Sequence, residues 1–493
     1  MKTCRILVRA KKGVPKLQAP GQHLSTSARA ASSLSLSLSL SSLSSSTTTT
    51  TTTTCASSRT RPRQHALSSN SIVLSAHSSR RNYASAPEST EPLNKTPLYD
   101  LHVAHGAKMV PFGGFHMPVQ YAGQSVGQEH HFTRTHASLF DVGHMVQHRF
   151  EGPGATAFLQ RITPAGLESL PPNQSTLSAL LWPGTGGIVD DTIITKLGEN
   201  RFYVVTNAAC RDKDLDYLHE QLTLWAQDAE PSVQHTVLEN QGLVALQGPL
   251  AEEILAEILA DPAEANLPGL YFGQCRYVAV EVDGGREVSD VLVSRGGYTG
   301  EDGFEISIPP ADTVAVTEAL LRAAHPGRLR LAGLGARDSL RLEAGMCLYG
   351  HDLDDSTTPV EGALGWIVGR DRRAETSVEK GAFHGADVVL AQLKPKSKGG
   401  SGVGRRRVGF AVEKGAPARE GSDVVDADGN KIGVVTSGCP SPTLDNRNIA
   451  MGYVRDGLHK AGTEVEVLVR GRRRKATVAK MPFVESKYKK APA

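Results

Sequence analysis

Residues 394 to 407 read Lys394-Pro395-Lys396-Ser397-Lys398-Gly399-Gly400-Ser401-Gly402-Val403-Gly404-Arg405-Arg406-Arg407, and they divide the chain into two parts of different kind. Glycines, a proline and repeated cations leave no apolar period, so residues 391–407 read as a linker or long loop. On the N-terminal side, residues 93–390 read as a mixed α/β body. There, strand-like runs such as Phe202-Tyr203-Val204-Val205-Thr206 and Glu305-Ile306-Ser307-Ile308 alternate with amphipathic helical stretches. On the C-terminal side, Val408–Val412, Lys431–Thr436 and Glu464–Val469 are short, β-rich runs between turn residues. Residues 408–493 therefore read as a small all-β barrel.

Charge divides at the same place. Residues 88–393 hold 21 Lys and Arg against 41 Asp and Glu, whereas residues 394–493 hold 21 against 10. A basic module next to an acidic body has two readings: the halves attract across an internal interface, or the module offers a docking surface to an acidic partner. In the second reading Arg472, Arg473, Arg474 and Lys475 are the candidate contacts.

Further out, residues 1–87 contain no Asp or Glu and twelve Lys or Arg, with a Ser-Leu alternation near 33–40 and a Thr run from Thr47 to Thr54. An acid-free, Ser- and Arg-rich N-terminus has the composition of a mitochondrial transit peptide. A plain disordered Ser/Thr tail has similar composition, but acid exclusion over such a length is not a general property of disorder. Arg81-Asn82-Tyr83 resembles a processing-peptidase site, so residues 1–83 are expected to be removed and the mature protein to work in the mitochondrial matrix. Without twelve cations the formal charge of +3 becomes about −9, and the basic balance carries no sign of nucleic-acid binding. No run approaches the ~18 apolar residues of a membrane span. Cys210, Cys275, Cys347 and Cys439 follow the leader without C-x-x-C spacing, which predicts free, buried thiols and neither zinc site nor disulfide framework.

Phosphate-binding G-x-x-x-x-G-K-[ST], dinucleotide G-x-G-x-x-G, H-E-x-x-H and G-x-S-x-G patterns are all missing. His144 and His148 are four apart, but Asp141–Val146 reads as well as a strand, and no metal is expected. Two acidic motifs carry more. Asp190-Asp191 lies in the apolar run Gly186-Gly187-Ile188-Val189-Asp190-Asp191-Thr192-Ile193-Ile194, where alternation turns the two carboxylates to opposite faces. A carboxylate among apolar neighbours acquires the raised or partner-tuned pKa that acid–base work needs; a turn or capping aspartate after Gly-Gly is the competing reading. Gly296-Gly297-Tyr298-Thr299-Gly300-Glu301-Asp302-Gly303 lets backbone approach a ligand closely, and a carboxylate there can accept two parallel N–H bonds. It is also compatible with an ordinary glycine-rich hairpin. A helix is expected over Ala336–Ala344, stopped by Gly345, with Asp338 in its first turn and Arg337 and Arg341 on one face.

Taken in order, these segments resemble the glycine cleavage T-protein (aminomethyltransferase) family. The likeness begins at Thr96-Pro97-Leu98-Tyr99-Asp100 and His105-Gly106-Ala107-Lys108-Met109-Val110, and runs through Leu139–Met145, Gly187–Asp191 and Gly297–Gly303. It continues through Leu334–Gly345, Thr358–Gly362, Gly433–Pro442 and Met481-Pro482-Phe483-Val484, covering residues 93 to 488. Departures are Gly143 where the family has a serine, Phe115 where tryptophan is common, and the enlarged loop before Arg405. The resemblance implies an α+β cloverleaf: two mixed α/β subdomains and a C-terminal small β-barrel around a central folate channel. It also implies transfer of an aminomethyl-derived one-carbon unit from the lipoyl arm of the H-protein to tetrahydrofolate, without a metal. By the family's motifs Asp191 is the essential aspartate; Glu301, Arg337 and Tyr488 contact folate; Asn207, Val205 and Met145 line the same pocket. Other classes fit less well. A folate-binding iron–sulfur assembly scaffold would carry Lys-Gly-Cys-Tyr-x-Gly-Gln-Glu where this chain has Met346-Cys347-Leu348-Tyr349-Gly350-His351-Asp352. Folate-dependent demethylating dehydrogenases add a flavin domain whose fingerprint is missing, and an RNA-binding reading would rest on the basic C-terminal module alone.

Overall fold

The computed structural model describes residues 92–228, 230–325, 327–373 and 382–492. The expected transit segment and its cleavage point after Tyr83 lie outside the described residues. Strand Ile188–Gly198, which carries both aspartates, is an inner strand of a five-stranded antiparallel sheet. The order is Gln174–Leu181, Ile188–Gly198, Arg201–Thr206, Val146–Glu151 and Gln234–Val237. Helices Ala155–Ile162 and Arg211–Gln227 cover one face of it, where Phe150, Phe158, Phe202, Tyr217 and Trp225 are buried together. Burial of rings this large is the main favourable term holding the layer.

A second sheet of six strands runs Cys275–Val282, Arg286–Arg295, Gly303–Ile308, Gly242–Gln247, Ala137–Asp141 and Leu329–Leu331. Helices Ala251–Ala256 and Thr313–Ala323 pack on its outer face. The inner faces of the two sheets meet: Tyr203 and Val205 from the first pack with Phe140, Leu243 and Ala245 from the second and with Leu340 from helix Leu334–Glu343. Period-two alternation puts the even-spaced residues of facing strands into this seam. Val205 and Met145, two of the residues singled out from the sequence, lie in this seam.

The C-terminal part is a closed barrel of six strands, ordered Arg405–Val412, Arg447–Arg455, Lys431–Ser441, Asp423–Val425, Glu464–Val469 and Arg472–Ala479. Its first strand begins at Arg405, inside the stretch read as linker, and helix Ala386–Leu393 occupies the other end of that stretch. Closure removes the free strand edges that would invite pairing with other chains. The α+β class with a C-terminal barrel is as the sequence indicated.

One element differs in position. The helix expected from Ala336 starts two residues earlier, at Leu334, so Asp338 falls beyond the first turn. Its carboxylate meets Arg341 Nε at 2.9 Å instead of the helix N-terminus. Gly345 does end the helix, at φ +70°, and a Cβ there would lie 2.9 Å from Met481 Cβ.

Candidate active site

The two adjacent aspartates have unequal surroundings: Asp190 is fully buried and Asp191 half-buried, as strand alternation requires. Alternation does not foresee that one amide reaches both. Asn207 follows strand Arg201–Thr206 and donates its backbone N–H to Asp190 Oδ2 at 2.7 Å. Its Nδ2 donates to Asp190 Oδ1 at 2.9 Å and to Asp191 Oδ1 at 3.0 Å. The same Nδ2 also reaches the Asp191 backbone O at 3.3 Å. Burial pushes the Asp191 carboxyl up to about 7, the charge of Asp190 adds to this, and the Asn207 hydrogen bond opposes it. Such a group exchanges protons near neutrality.

The glycine-rich loop supplies the next wall. Gly297 has φ +155° and Gly300 φ +79°, and a Cβ on Gly297 would strike the Gln247 amide at 1.9 Å, so this turn needs glycine. Tyr298 lies between the predicted residues: the Arg337 guanidinium sits over its ring at 4.7 Å, and its hydroxyl donates to Cys347 O. The charges of both Asp191 and Arg337 act on the Tyr298 hydroxyl, behind burial as the main influence. Glu301 is buried, and both of its ionic partners, Arg134 at 3.0 Å and Lys487 at 3.1 Å, reach Oε1. Among the described residues no donor reaches Oε2. The C-terminal tail is stitched to this loop, with Lys487 N–H donating to Gly300 O at 2.8 Å, and the Tyr488 ring lies 4.3 Å from that of Phe272, tilted by 30°.

Three buried polar atoms here lack any hydrogen-bond partner among the described residues: Arg337 Nη1, the Tyr488 hydroxyl and His144 Nδ1. Leaving such groups unpaired costs about 1–3 kcal/mol each, so a polar ligand in their midst would relieve a standing penalty. His144 lies against the rings of Phe112 and Phe115, 5.6 and 6.4 Å away, and burial lowers it to about 4, which keeps it neutral. Met145 and Val205 add apolar surface in the adjoining seam. The structure joins Asp191 to Asn207, packs Val205 with Met145, sets Arg337 on the Tyr298 ring, and brings Tyr488 within electrostatic reach of Glu301. A separate surface concavity beside Trp366 and Arg370 shares no residue with this cluster.

Sequence reasoning did not single out Tyr298, though it stands inside the glycine motif. It also missed Asp214, in the first turn of helix Arg211–Gln227, whose oxygen lies within 4.8 Å of ligand atoms of both Asp190 and Cys210. Nothing in local spacing signals a partner 24 residues away. Two carboxylates and a thiol are a possible cation donor set. Against that use, both Asp190 oxygens already accept from Asn207, and burial holds the Cys210 thiol far above its ordinary value.

Comparison with known proteins agrees along the whole body. The GCVT N-terminal domain matches residues 98–372, and the glycine cleavage T-protein C-terminal barrel domain matches residues 405–485. A probable mitochondrial aminomethyltransferase of Schizosaccharomyces pombe is 48% identical over 406 residues, covering 82% of this chain and 97% of that one. The mitochondrial aminomethyltransferase of Saccharomyces cerevisiae is 46% identical, with 81% and 96% covered. The crystal structure of glycine cleavage system aminomethyltransferase T from Bartonella henselae superposes with a TM-score of 0.69 at 40% identity, covering 81% of this chain and all of that one.

Proposed function

Because the chain belongs to the glycine cleavage T-protein family, we propose that it moves the aminomethyl-derived carbon from the lipoyl arm of the H-protein to tetrahydrofolate. The products are 5,10-methylenetetrahydrofolate, ammonia and the dihydrolipoyl carrier. The chain is a mitochondrial, tetrahydrofolate-dependent aminomethyltransferase of the glycine cleavage system; the matrix is the compartment proposed for it. The observation that carries the finer reading is Asp191, a carboxyl raised to about 7 at the edge of a buried cluster and aimed by Asn207.

The residues present suit a flat heterocycle carrying both donors and acceptors. Arg337 Nη1 and the Tyr488 hydroxyl are free to donate, while Asn207 Oδ1 and Glu301 Oε2 are free to accept. Met145 and Val205 would face its apolar surface. Tetrahydrofolate supplies the amine nucleophile that accepts the carbon. Asp191 orients that amine and stabilises the positive charge that develops as the carbon–nitrogen bond to ammonia breaks, in a site where low dielectric strengthens the effect. The second folate nitrogen then closes onto the carbon as the carbon–sulfur bond breaks and the dihydrolipoyl thiolate leaves. Asp191 can take up the proton that the amine loses. No step in this reading calls on a metal.

The test is an ammonia-release assay with aminomethylated H-protein. Release should require both the carrier and tetrahydrofolate. Equal rates with and without tetrahydrofolate, or none with every component present, would overturn the proposal.

A further inference from the structure

Behind Asp191 lies a pair of carboxyls that the reaction does not touch. Asp190 and Asp214 are both fully buried, and their oxygens lie within 4.8 Å of one another and of Cys210 Sγ. Among the described residues no donor bonds either oxygen of Asp214. The cation next in sequence is turned elsewhere: Lys213 Nζ donates to Tyr349 Oη at 2.7 Å and pairs with Asp355 at 3.1 Å. Tyr217, also near, gives its hydroxyl hydrogen to Leu181 O. Two buried carboxylates with no cation to balance them cannot both be ionised.

We propose that Asp190 and Asp214 share one proton as a buried acid–carboxylate pair, and that this pair is the positioning device that fixes the Asn207 amide and, through it, the Asp191 carboxyl. The proposal rests on the reading of Asp191 as the reacting carboxyl. The geometry runs as a chain. Asp214 holds Asp190 in place; Asp190 accepts the backbone and side-chain N–H of Asn207; the second amide hydrogen of Asn207 meets Asp191 Oδ1. A shared proton supplies the contact between the two carboxyls, beside the neutral Thr206 hydroxyl that also acts on Asp214, and it limits the pair to one negative charge beside Asp191. Titration agrees in direction: burial raises Asp190 well above its ordinary value, with Asp214 adding to it, and burial raises Asp214 to about 7 against the opposing bonds from Asp190 and Thr206. The other ionisable groups facing the pair are Asp191, Cys210, Tyr217 and Tyr349; Lys213 bonds neither carboxyl and acts on Asp214 by charge alone, while Asp352 acts on Asp191.

Two substitutions at the pair then have opposite consequences. Asp214→Asn replaces the shared proton by an amide N–H and leaves Asp190 ionised, so the charge beside Asp191 is unchanged. Its kcat should stay within about threefold of wild type, with the same acid limb in the pH profile. Asp190→Asn removes one of the two acceptors that hold Asn207 and the charge beside Asp191. Its kcat should fall roughly tenfold or more, and the limb should move to lower pH.

The direct readout is infrared spectroscopy of full-length enzyme carrying carbon-13 carboxyl-labelled aspartate, in an Asp191→Asn background so that this group contributes nothing. A protonated aspartic-acid carbonyl band should be present at about pH 8.5 and vanish when Asp214→Asn is added. Absence of that band overturns the shared proton whatever the assay shows, and it does so even if the Asp214→Asn chain does not fold. A stoichiometric divalent ion that survives chelation would overturn it as well. With the band confirmed, equal kcat losses in Asp214→Asn and Asp190→Asn would refute the positioning role. Normal turnover by the Asp191→Asn enzyme would instead refute the reading of Asp191 and leave the pair standing.

Discussion

At the end of strand Ile188–Gly198, two neighbouring carboxylates share a single neutral amide. Where helix Leu334–Glu343 meets the barrel, buried carboxylates sit among cations and hydroxyls. Glu343 accepts from Arg134 at 2.7 Å, Ser441 at 2.5 Å and Thr443 Oγ1 at 2.7 Å, and His130 lies 3.2 Å away. Asp352 accepts from Arg341 at 2.7 Å and from Ser437 at 3.0 Å. Glu343 and Asp352 are fully buried and Asp191 half-buried, yet it is the less buried carboxyl that rises. For Glu343, burial pushes the pKa up, but the bonds from His130, Ser441 and Thr443 outweigh it and hold the group near 2. For Asp191, burial prevails and the group rises to about 7. Charge satisfaction, not depth, separates a held carboxylate from one that titrates near neutrality.

The largest effect expected from this contrast is on turnover. Asp191→Asn keeps volume and the bond from Asn207 but removes the charge, so kcat should fall roughly a thousandfold while the fold persists. Ammonia release and a thermal melt measure both; a variant that turns over within tenfold of wild type would place the reacting charge elsewhere. At the brace the loss should be in stability. Glu343→Gln removes one of the two carboxylates paired with Arg134, leaving Glu301 and the Thr299 carbonyl, and should cost about 3 kcal/mol, since a buried cation loses half of its counter-charge. Because Glu343 is held below its ordinary 4.5, its contribution is complete above that value and disappears as pH falls toward 2. Acid melts of wild type and variant should therefore converge over that window. Parallel acid curves would mean that Glu343 is not what ties helix to barrel.

How far sequence could see follows the same division. Runs with clear alternation, such as Glu464–Val469, were readable as strands, because one face is buried and the other open. Strand Arg447–Arg455 was not, since Asn448 through Val454 are all buried and leave no period. Strand Arg472–Ala479 opens on Arg-Arg-Arg-Lys and reads as surface charge. In the site, Asp191, Glu301 and Arg337 stood in motifs dense with glycine or charge. Asp214 and Arg134 did not: each acts through a partner distant in sequence, and a contact of that kind has no local signature.

Asp191, proposed to serve turnover, should also weaken the fold. Its pKa in the folded chain lies near 7, above the ordinary 3.8, so the folded state binds more protons between those values. Stability from this group is complete below about pH 3.8 and is lost as pH rises through 7. A shift of about three units is worth ~4 kcal/mol in full, and partial exposure of Asp191 reduces this to about 1–2 kcal/mol. Asp191→Asn should accordingly be more stable than wild type at pH 8 by that amount, with the difference gone near pH 4. Denaturation of both proteins at the two pH values decides it: a variant less stable at pH 8 would mean that Asp191 is held by a partner the contrast leaves out.

The smallest effect belongs to the exposed arginines of the barrel. Their cluster, with the charge split between body and barrel, left two readings open: docking of an acidic carrier, or attraction across an internal boundary. In the structure Arg473 pairs with Glu466 at 3.3 Å and Arg474 with Glu413 at 3.5 Å, both acids of the barrel itself. These pairs are exposed or nearly so, and solvent screens them, so each is worth about 0–1 kcal/mol. Reversing Arg473 and Arg474 to Glu places like charges together and should lower stability by about 1 kcal/mol. With the pairs satisfied inside the barrel, the KM for the lipoyl carrier should stay at its wild-type value, as should that for tetrahydrofolate. A raised carrier KM with an unchanged folate KM would reverse this conclusion. If that rise also shrank as salt was added, exposed charge on this strand would be the carrier's landing surface.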